Sequence, residues 1–292
     1  MAHTKLLNRR IRSVKNAKQI TKAMEIVAVS RMRRVQTATN NARLYAQAIQ
    51  SVMRQIIFSQ EAQHHPFFQP AIPGPVLYII FSSDRGLAGA FNSNVFSLTL
   101  DLFSQDKQTG TLPLVIIFGR KGARFFARFS DINLVGEYED IADAPDVNIF
   151  APVIETINHG LVAGDFTSVR LIYSQFISTL SQQAILRQLL PVNLEEIDEH
   201  PVDQTVYEFE PSIEAALESV LHLYLESQLM QARTDSAASE YAMQMMAMNN
   251  ANRNAGELID SLTLELNATR QAHITQEIAE ITGGAAALTE QV

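Results

Sequence analysis

The sequence contains no cysteine. This absence excludes disulfide bonds, thiolate catalysis, cysteine-ligated metals and thiol-based redox control. Long apolar runs are also absent, since none approaches the ~20 residues that a membrane-spanning helix needs. The first residues are rich in arginine and poor in acids, as in organelle transit peptides, but their helical periodicity continues into a long segment. We therefore interpret them as mature protein and expect a soluble intracellular protein.

The motifs of common catalytic and nucleotide-binding sites are missing as well. The sequence has no GxxxxGK[ST] phosphate loop, no GxGxxG turn and no G-x-S-x-G elbow. No two histidines lie four residues apart on a helix beside an acid, so no zinc-protease site is predicted. We therefore expect the chain to have no catalytic, cofactor-binding or metal-binding residues.

One glycine-rich turn admits two interpretations. Ser83–Gly89 follows the first predicted strand, where α/β domains often bind ligands, and the amides of Gly86 and Gly89 could face an anion. A tight strand-to-helix turn would require the same glycines without any ligand. Because the motif lacks the lysine expected beside phosphates, we favour the turn.

Glycine and proline are scarce at both ends of the chain. Residues 1–60 contain neither, and Ser212–Thr282 contains one glycine and no proline. At about 1.5 Å per helical residue, these segments could reach roughly 85 Å and 105 Å. Residues 1–60 hold twelve basic and one acidic residue, a net of +11; residues 205–292 hold three basic and thirteen acidic residues, a net of −10. Two long helices that pair with each other are therefore predicted.

Apolar residues at both ends recur at helical spacing. In the first segment three runs drift relative to one another, which predicts a stripe that winds around a partner rather than a strict heptad. The runs are Leu7, Ile11 and Val14; Ile20, Met24 and Val27; and Ala28, Met32 and Val35. In the last segment, alternating steps of four and three predict a coiled-coil seam. Its members are Tyr241, Met245, Met248, Asn252, Ala255, Ile259, Leu262 and Leu266, and Ile274, Ile278 and Ile281 continue the spacing on a shifted phase.

The middle of the chain alternates strand-like and helical segments. This order predicts an α/β layer with a largely parallel sheet. The strands are expected at Val76–Phe81, Leu112–Phe118, Arg170–Ile177 and Ala184–Val192, and the helices at Ser93–Lys107, Lys121–Phe129 and Ile149–Val162. The first long helix is expected to end near His64, and the last to begin at Pro211-Ser212 and to lose its regular pattern at Gly283-Gly284.

Four motifs closely resemble the F-type ATP synthase gamma subunit family, and they occur in order across nearly the whole chain. The two terminal motifs are long and specific. The matching segments are Arg10–Ala28 with Ser30–Arg33, Ser83–Asn92, Phe118–Gly122, and Asn267–Ile278 with Glu280-Ile281 and Gly284–Ala287.

The resemblance implies a fold. It is an α/β fold with a long antiparallel coiled coil of N- and C-terminal helices and an inserted Rossmann-like α/β domain. The expected domains are the N-terminal helix at 1–65, the α/β domain at 66–204 and the C-terminal helix at 205–292.

The resemblance also implies a function. The chain would be the central-stalk rotor subunit of an F1Fo ATP synthase, not an enzyme itself, and would couple ion-driven rotation to conformational change at the catalytic sites of the beta subunits. Its partners would be the alpha, beta and epsilon subunits and the membrane c-ring, in a hetero-oligomer without nucleic acid and without direct membrane insertion. It would be a peripheral membrane protein on the cytoplasmic face of a bacterial plasma membrane.

Six positions are expected at the partner interface because they match family positions that contact the beta subunit. Met24 would lie near the beta lever loop, and the other five would contact beta higher along the shaft. These five are Arg270, Gln271, Thr275, Glu277 and Glu280. The chain departs from the family pattern at Gln244, where the family usually has arginine, which places a charged contact at that level in question.

A second hypothesis needs no resemblance. The basic N-terminal helix could make the chain an independent coiled-coil adaptor that binds nucleic acid or an anionic membrane. Aromatic residues are nearly absent from this helix, so recognition by base stacking is not expected. Pairing with the acidic C-terminal helix is the simpler explanation of the charge.

Overall fold

A computed structural model describes residues 2–57, 65, 67–69, 74–108, 110, 113–192 and 213–289. These residues form two compact units: one contains those up to Val27 and from Met245 onward, and the other contains Ala28–Gln244. The helices are α1 (Ala2–Ile57), α2 (Phe91–Gln108), α3 (Arg120–Phe126), α4 (Ala151–Ala163, preceded by a 3-10 turn at Val147–Phe150) and α5 (Ile213–Thr289). The strands are β1 (Val76–Phe81), β2 (Leu114–Phe118), β3 (Asn133–Tyr138), β4 (Ser168–Phe176) and β5 (Gln182–Leu190).

The two terminal helices follow from the scarcity of helix breakers. The structure confirms both helices, and α5 continues past Gly283 and Gly284, where the regular apolar pattern of the sequence ends, to Thr289. A glycine costs a helix only about 1 kcal/mol, and the alanines that follow are the best helix formers, so the pair does not stop the helix. The predicted ends near His64 and at Pro211-Ser212 lie outside the described residues, as does the domain boundary at 204/205.

The sheet has the order β3-β2-β1-β4-β5 in the described part of the chain, and its first four strands are parallel. The four predicted strands are present, but β3 was missed. Its side chains alternate between exposed and half-buried, so this edge strand carries no continuous apolar run. β5 pairs antiparallel with β4 because only five residues separate the two strands, which suffices for a hairpin but not for a crossover.

Buried side chains cover both faces of the sheet. On β1, Leu77, Ile79 and Phe81 belong to a cluster that includes side chains from α1, α4 and α5. The intervening residues Val76, Tyr78 and Ile80 belong to a second cluster with α2 and α3. The sheet is therefore the middle layer of three, and α1 and α5 form part of one outer layer.

A glycine turn after β2 explains one motif of the sequence. Gly119 has φ +103°, and a Cβ atom there would lie 2.4 Å from the carbonyl oxygen of Ser82. The Ser82 hydroxyl oxygen accepts a hydrogen bond from the amide of Gly122 at 2.9 Å. The Phe118–Gly122 motif thus lets the ends of β1 and β2 approach each other closely.

In the other unit, α1 and α5 form an antiparallel coiled coil. Leu7 and Ile11 pack with Leu262, and Asn249 Nδ2 donates to Glu25 Oε1 at 3.1 Å. The predicted α5 seam is confirmed from Met248 to Leu266, since its members are buried or half-buried while most residues between them are exposed.

The seam of α1 differs from the prediction in its second run. Ile20 and Val27 are 60% and 51% exposed, whereas Lys18, Thr21 and Glu25 are half-buried. Steps of four and three therefore continue from Leu7 to Glu25 without the predicted drift. The apolar pattern was misleading here because polar side chains face the partner helix: the Lys18 ammonium lies 3.0 Å from the position of a Cβ on Gly256.

Candidate functional site

The six predicted interface residues lie on two helices of the coiled-coil unit. Met24 is half-buried on α1, next to the Glu25 that pairs with Asn249. The other five are exposed on α5, well beyond Asn249 along the helix, and Glu280 Oε1 accepts a hydrogen bond from Gln276 at 2.9 Å. The structure thus brings these five together on one helical segment and leaves Met24 at a separate level.

An apolar stripe lies among these exposed residues. Ile274, Ile278 and Ile281 are 53%, 56% and 72% exposed. These three isoleucines continue the steps of four and three of the seam on a shifted phase. This spacing is the signal by which the stripe can be found in the sequence. A helical segment with three exposed isoleucines beside charged residues is suited to contact a partner that has both apolar and charged groups.

A second apolar surface surrounds Met24. Ile20, Ile26 and Val27 are all exposed on α1, while the inward side of the same segment is polar. Hydrogen bonds from Asn249 and then Lys22 lower the pKa of Glu25, so this carboxylate stays ionised at the seam. The usual arrangement of a helix, apolar inside and polar outside, is locally reversed around Met24.

The α/β unit contains polar contacts that the sequence did not predict. Arg31 on α1 donates to the Tyr241 hydroxyl at 3.2 Å, and this hydroxyl donates to Asp143 Oδ2 at 2.8 Å. Arg233 on α5 donates to the carbonyl oxygens of Ile141 and Ala142 at 2.7 Å and 3.1 Å. Both helices are thereby fixed to the loop that follows β3. No local pattern reveals such pairs, because the partners are distant in sequence.

Glu240, which precedes Tyr241 in the sequence, has a carboxyl group with a raised pKa. Burial raises the pKa of Glu240 to about 7, and the positive charge of Arg233 opposes the shift. The negative charges of Asp143 and Asp84 add to the increase in the pKa of Glu240, Arg85 opposes it, and Arg31 also interacts with this carboxyl group. Glu240 therefore changes its charge near neutral pH.

Hydrogen bonds between Ser83 and Asn92 hold the glycine turn that follows β1. Asn92 accepts a hydrogen bond from the Ser83 amide at 3.0 Å and donates to the Ser83 hydroxyl at 2.7 Å. These bonds support the interpretation as a structural turn. The argument from a missing lysine was wrong, however, because the Lys121 side chain lies beside Gly86.

Metal binding and membrane insertion would each require a recognisable feature in the described residues. Within these residues, no group of three or more His, Cys, Asp or Glu is arranged to hold a metal ion. Nor is any described helix both long enough and apolar enough to cross a membrane.

The fold defines a class of protein: a long antiparallel coiled coil with an inserted Rossmann-like α/β domain, whose helices carry exposed apolar surfaces. The family model described as ATP synthase matches residues 3–288. The chain belongs to the ATP synthase gamma-chain family.

Curated relatives support this membership over nearly full length. The ATP synthase gamma chain of Pelotomaculum thermopropionicum is 38% identical over 282 residues, which cover 97% of this chain and 98% of the relative. That of Legionella pneumophila (strain Corby) is 36% identical over 289 residues, covering 99% of this chain and 100% of the relative.

Solved structures share the fold. A chain of the Tetrahymena thermophila mitochondrial ATP synthase central stalk and c-ring is similar with a TM-score of 0.62 and 25% identity, covering 80% of this chain and 99% of that one. A chain of the Euglena gracilis mitochondrial ATP synthase is similar with a TM-score of 0.69 and 18% identity, covering 98% and 95%.

Proposed function

We propose that this chain is the central-stalk rotor subunit of an F1Fo ATP synthase. The observation that carries the proposal is the match to gamma chains over nearly the full length. The chain catalyses no reaction itself, because ATP is made or hydrolysed in the beta subunits. Its rotation changes the contacts that each beta subunit makes, and a difference in contacts between angular states is what shifts the conformation of a partner.

The proposed partners are the alpha, beta and epsilon subunits and the membrane c-ring. Support comes from the central stalk and c-ring assembly that contains the Tetrahymena chain. The complex is associated with a membrane, and we place this subunit on the cytoplasmic face of a bacterial plasma membrane. Nothing in the comparisons favours the alternative adaptor that binds nucleic acid or an anionic membrane.

Co-expression tests the proposal. The chain is expected to co-purify with the alpha and beta subunits of a close bacterial relative and to give a complex that hydrolyses ATP, whereas the purified chain alone gives no turnover. Failure to enter the complex, or substantial turnover by the chain alone, would exclude the rotor function.

We propose further that Met24, Arg270, Gln271, Thr275, Glu277 and Glu280 contact the surrounding ring. The last five are exposed on one segment of α5, where the neighbouring isoleucines are exposed too. The side-chain oxygens of Glu277 and Glu280 would accept charge-assisted hydrogen bonds from partner groups. Met24 would contact beta through the apolar surface formed with Ile20, Ile26 and Val27.

Replacing Glu277 and Glu280 by alanine together is expected to lower the ATP synthesis rate of the reconstituted complex about five- to tenfold, because the two lost contacts together cost about 1 to 1.4 kcal/mol. The melting temperature of the isolated chain should stay unchanged, since both side chains are exposed. The matched control is Glu257→Ala with Asp260→Ala, two exposed acids on the same helix with the same spacing. Equal effects of the two double variants would contradict a specific interface.

A further inference from the structure

Both long helices bury small side chains within the α/β unit. On α1 they are Thr39, Ala42 and Ala46, and on α5 they are Ala232, Ser236, Ala237, Ala238 and Ser239. Small side chains permit close approach, but apolar contact has no preferred direction and resists sliding only weakly. A subunit that transmits torque needs directional contacts in addition.

Arg43 makes such contacts with two other elements at once. Its Nη2 atom donates to Asp235 Oδ1 on α5 at 2.8 Å and to the carbonyl oxygen of Phe176, the last residue of β4, at 2.6 Å. One guanidinium group on α1 therefore joins the second helix and the sheet. Its planar, fixed geometry makes these bonds strongly directional.

Stability alone is a poor explanation for this ion pair. The side chain of Asp235 is 0% exposed, and its Oδ2 atom has no hydrogen-bond partner among the described residues. Burial raises the pKa of Asp235 against the opposing charge of Arg43, so the carboxylate is kept in an unfavourable environment. Well-packed apolar residues in place of a buried ion pair are often equally or more stabilising.

Two other hydrogen bonds at this junction connect α5 to the sheet without involving α1. Ser239 on α5 donates to the carbonyl oxygen of Ser174 on β4 at 3.0 Å, but it does not reach α1. Arg187 on β5 donates to Gln228 on α5 at 2.7 Å and likewise leaves α1 out. Tyr241 on α5 does join α1 through Arg31, but its other partner, Asp143, lies in the loop after β3, whereas Arg43 joins both helices to a strand of the sheet itself.

We propose that Arg43 is a positioning residue through which torque passes between the α/β domain and both long helices. This inference rests on the proposed function as a rotor. It predicts that loss of Arg43 makes the connection twist more easily under load, while the unloaded hydrolysis of ATP by the complex remains nearly unchanged.

Single-molecule rotation tests the inference, and the chain is convenient for it because it has no cysteine. Val162→Cys, an 84% exposed position on α4, gives one attachment point for a bead on the α/β domain. With the alpha–beta ring fixed to a surface, all load then passes from the helices to the sheet. The measurement is the torsional stiffness obtained from angular fluctuations of the bead in the stalled complex.

Arg43→Met is expected to lower the stiffness at least about twofold, because one of a few directional contacts is lost. Unloaded ATP hydrolysis should stay within about twofold of the parent complex, and Arg43→Lys, which keeps the charge but not the fork geometry, should give an intermediate stiffness. The matched control is Arg120→Met, which removes two ion-pair contacts, to Glu139 and Asp140, that involve neither long helix. Its stiffness should equal that of the parent.

A double variant separates the effect of Arg43 on torsional stiffness from its effect on folding stability. Arg43→Met with Asp235→Leu removes both buried charges and is expected to recover the melting temperature while remaining as compliant as Arg43→Met. Parent-like stiffness in either Arg43→Met or the double variant overturns the inference. If the parent complex with Val162→Cys does not rotate on ATP at all, the proposed function fails instead.

Discussion

Replacing Gly119 by alanine is expected to cost the α/β domain at least about 3 kcal/mol of unfolding free energy, from a strained backbone together with a steric clash. The residue has φ +103°, and a Cβ would lie 2.4 Å from the backbone oxygen of Ser82. That oxygen belongs to the turn between β1 and α2, so the clash cannot be relieved by rotating a side chain. Urea unfolding of the purified chain, followed by circular dichroism, measures the loss.

Gly164→Ala is the control for this substitution. Gly164 also has a positive φ, +77°, but among the described residues no heavy atom beyond its two chain neighbours lies within 4 Å of the position of its Cβ. The expected loss is about 1 kcal/mol, from backbone conformation alone. If the two variants lose the same amount, the close approach at Ser82 does not determine the cost.

Replacing Glu240 by glutamine is expected to stabilise the chain at pH 8 by at most about 3 kcal/mol. Burial raises the pKa of Glu240 from 4.5 to about 7. Between these two values the folded state holds a proton that the unfolded state releases, so the parent chain loses stability as pH rises through this window. Glutamine resembles the protonated carboxyl group and does not suffer this loss.

The difference between the two chains should therefore be largest above pH 7 and should disappear near pH 4. Thermal unfolding at several pH values measures it, with the exposed Glu257→Gln as the control. A gain from Glu240→Gln that is constant from pH 4 to pH 8 would attribute the effect to packing rather than to ionisation.

The sequence predicts the large features of this fold well because each has a strong local cause. The long helices follow from the scarcity of glycine and proline, and β1 and β2 follow from apolar runs that are buried on both faces. β3 could not be found in this way, because an edge strand that is exposed on alternate residues lacks such a run. The apolar pattern ends at Gly283, but α5 continues beyond it, because helix propensity persists in the alanines that follow.

The candidate site shows which residues a sequence pattern can predict and which it cannot. The exposed positions on α5 could be predicted, because they belong to a contiguous motif on one helix. The contacts of Arg43 and of Tyr241 could not, because each depends on residues 90 or more positions apart. The seam around Glu25 was misjudged for a further reason: hydrophobicity identifies a buried face only when the partner surface is also apolar.

The antiparallel seam has a consequence for the order in which the chain folds. Its partners are far apart in sequence: Glu25 and Asn249 are separated by 224 residues. The five described strands lie within Val76–Leu190, so they can pair while α5 is still being synthesised, and α5 then covers its part of one face of the sheet. The seam can close only after the strands have been synthesised, because its α5 half follows them in the sequence. Until that moment α1 carries a dense positive charge without its acidic partner, and the mutual repulsion keeps unfinished chains apart.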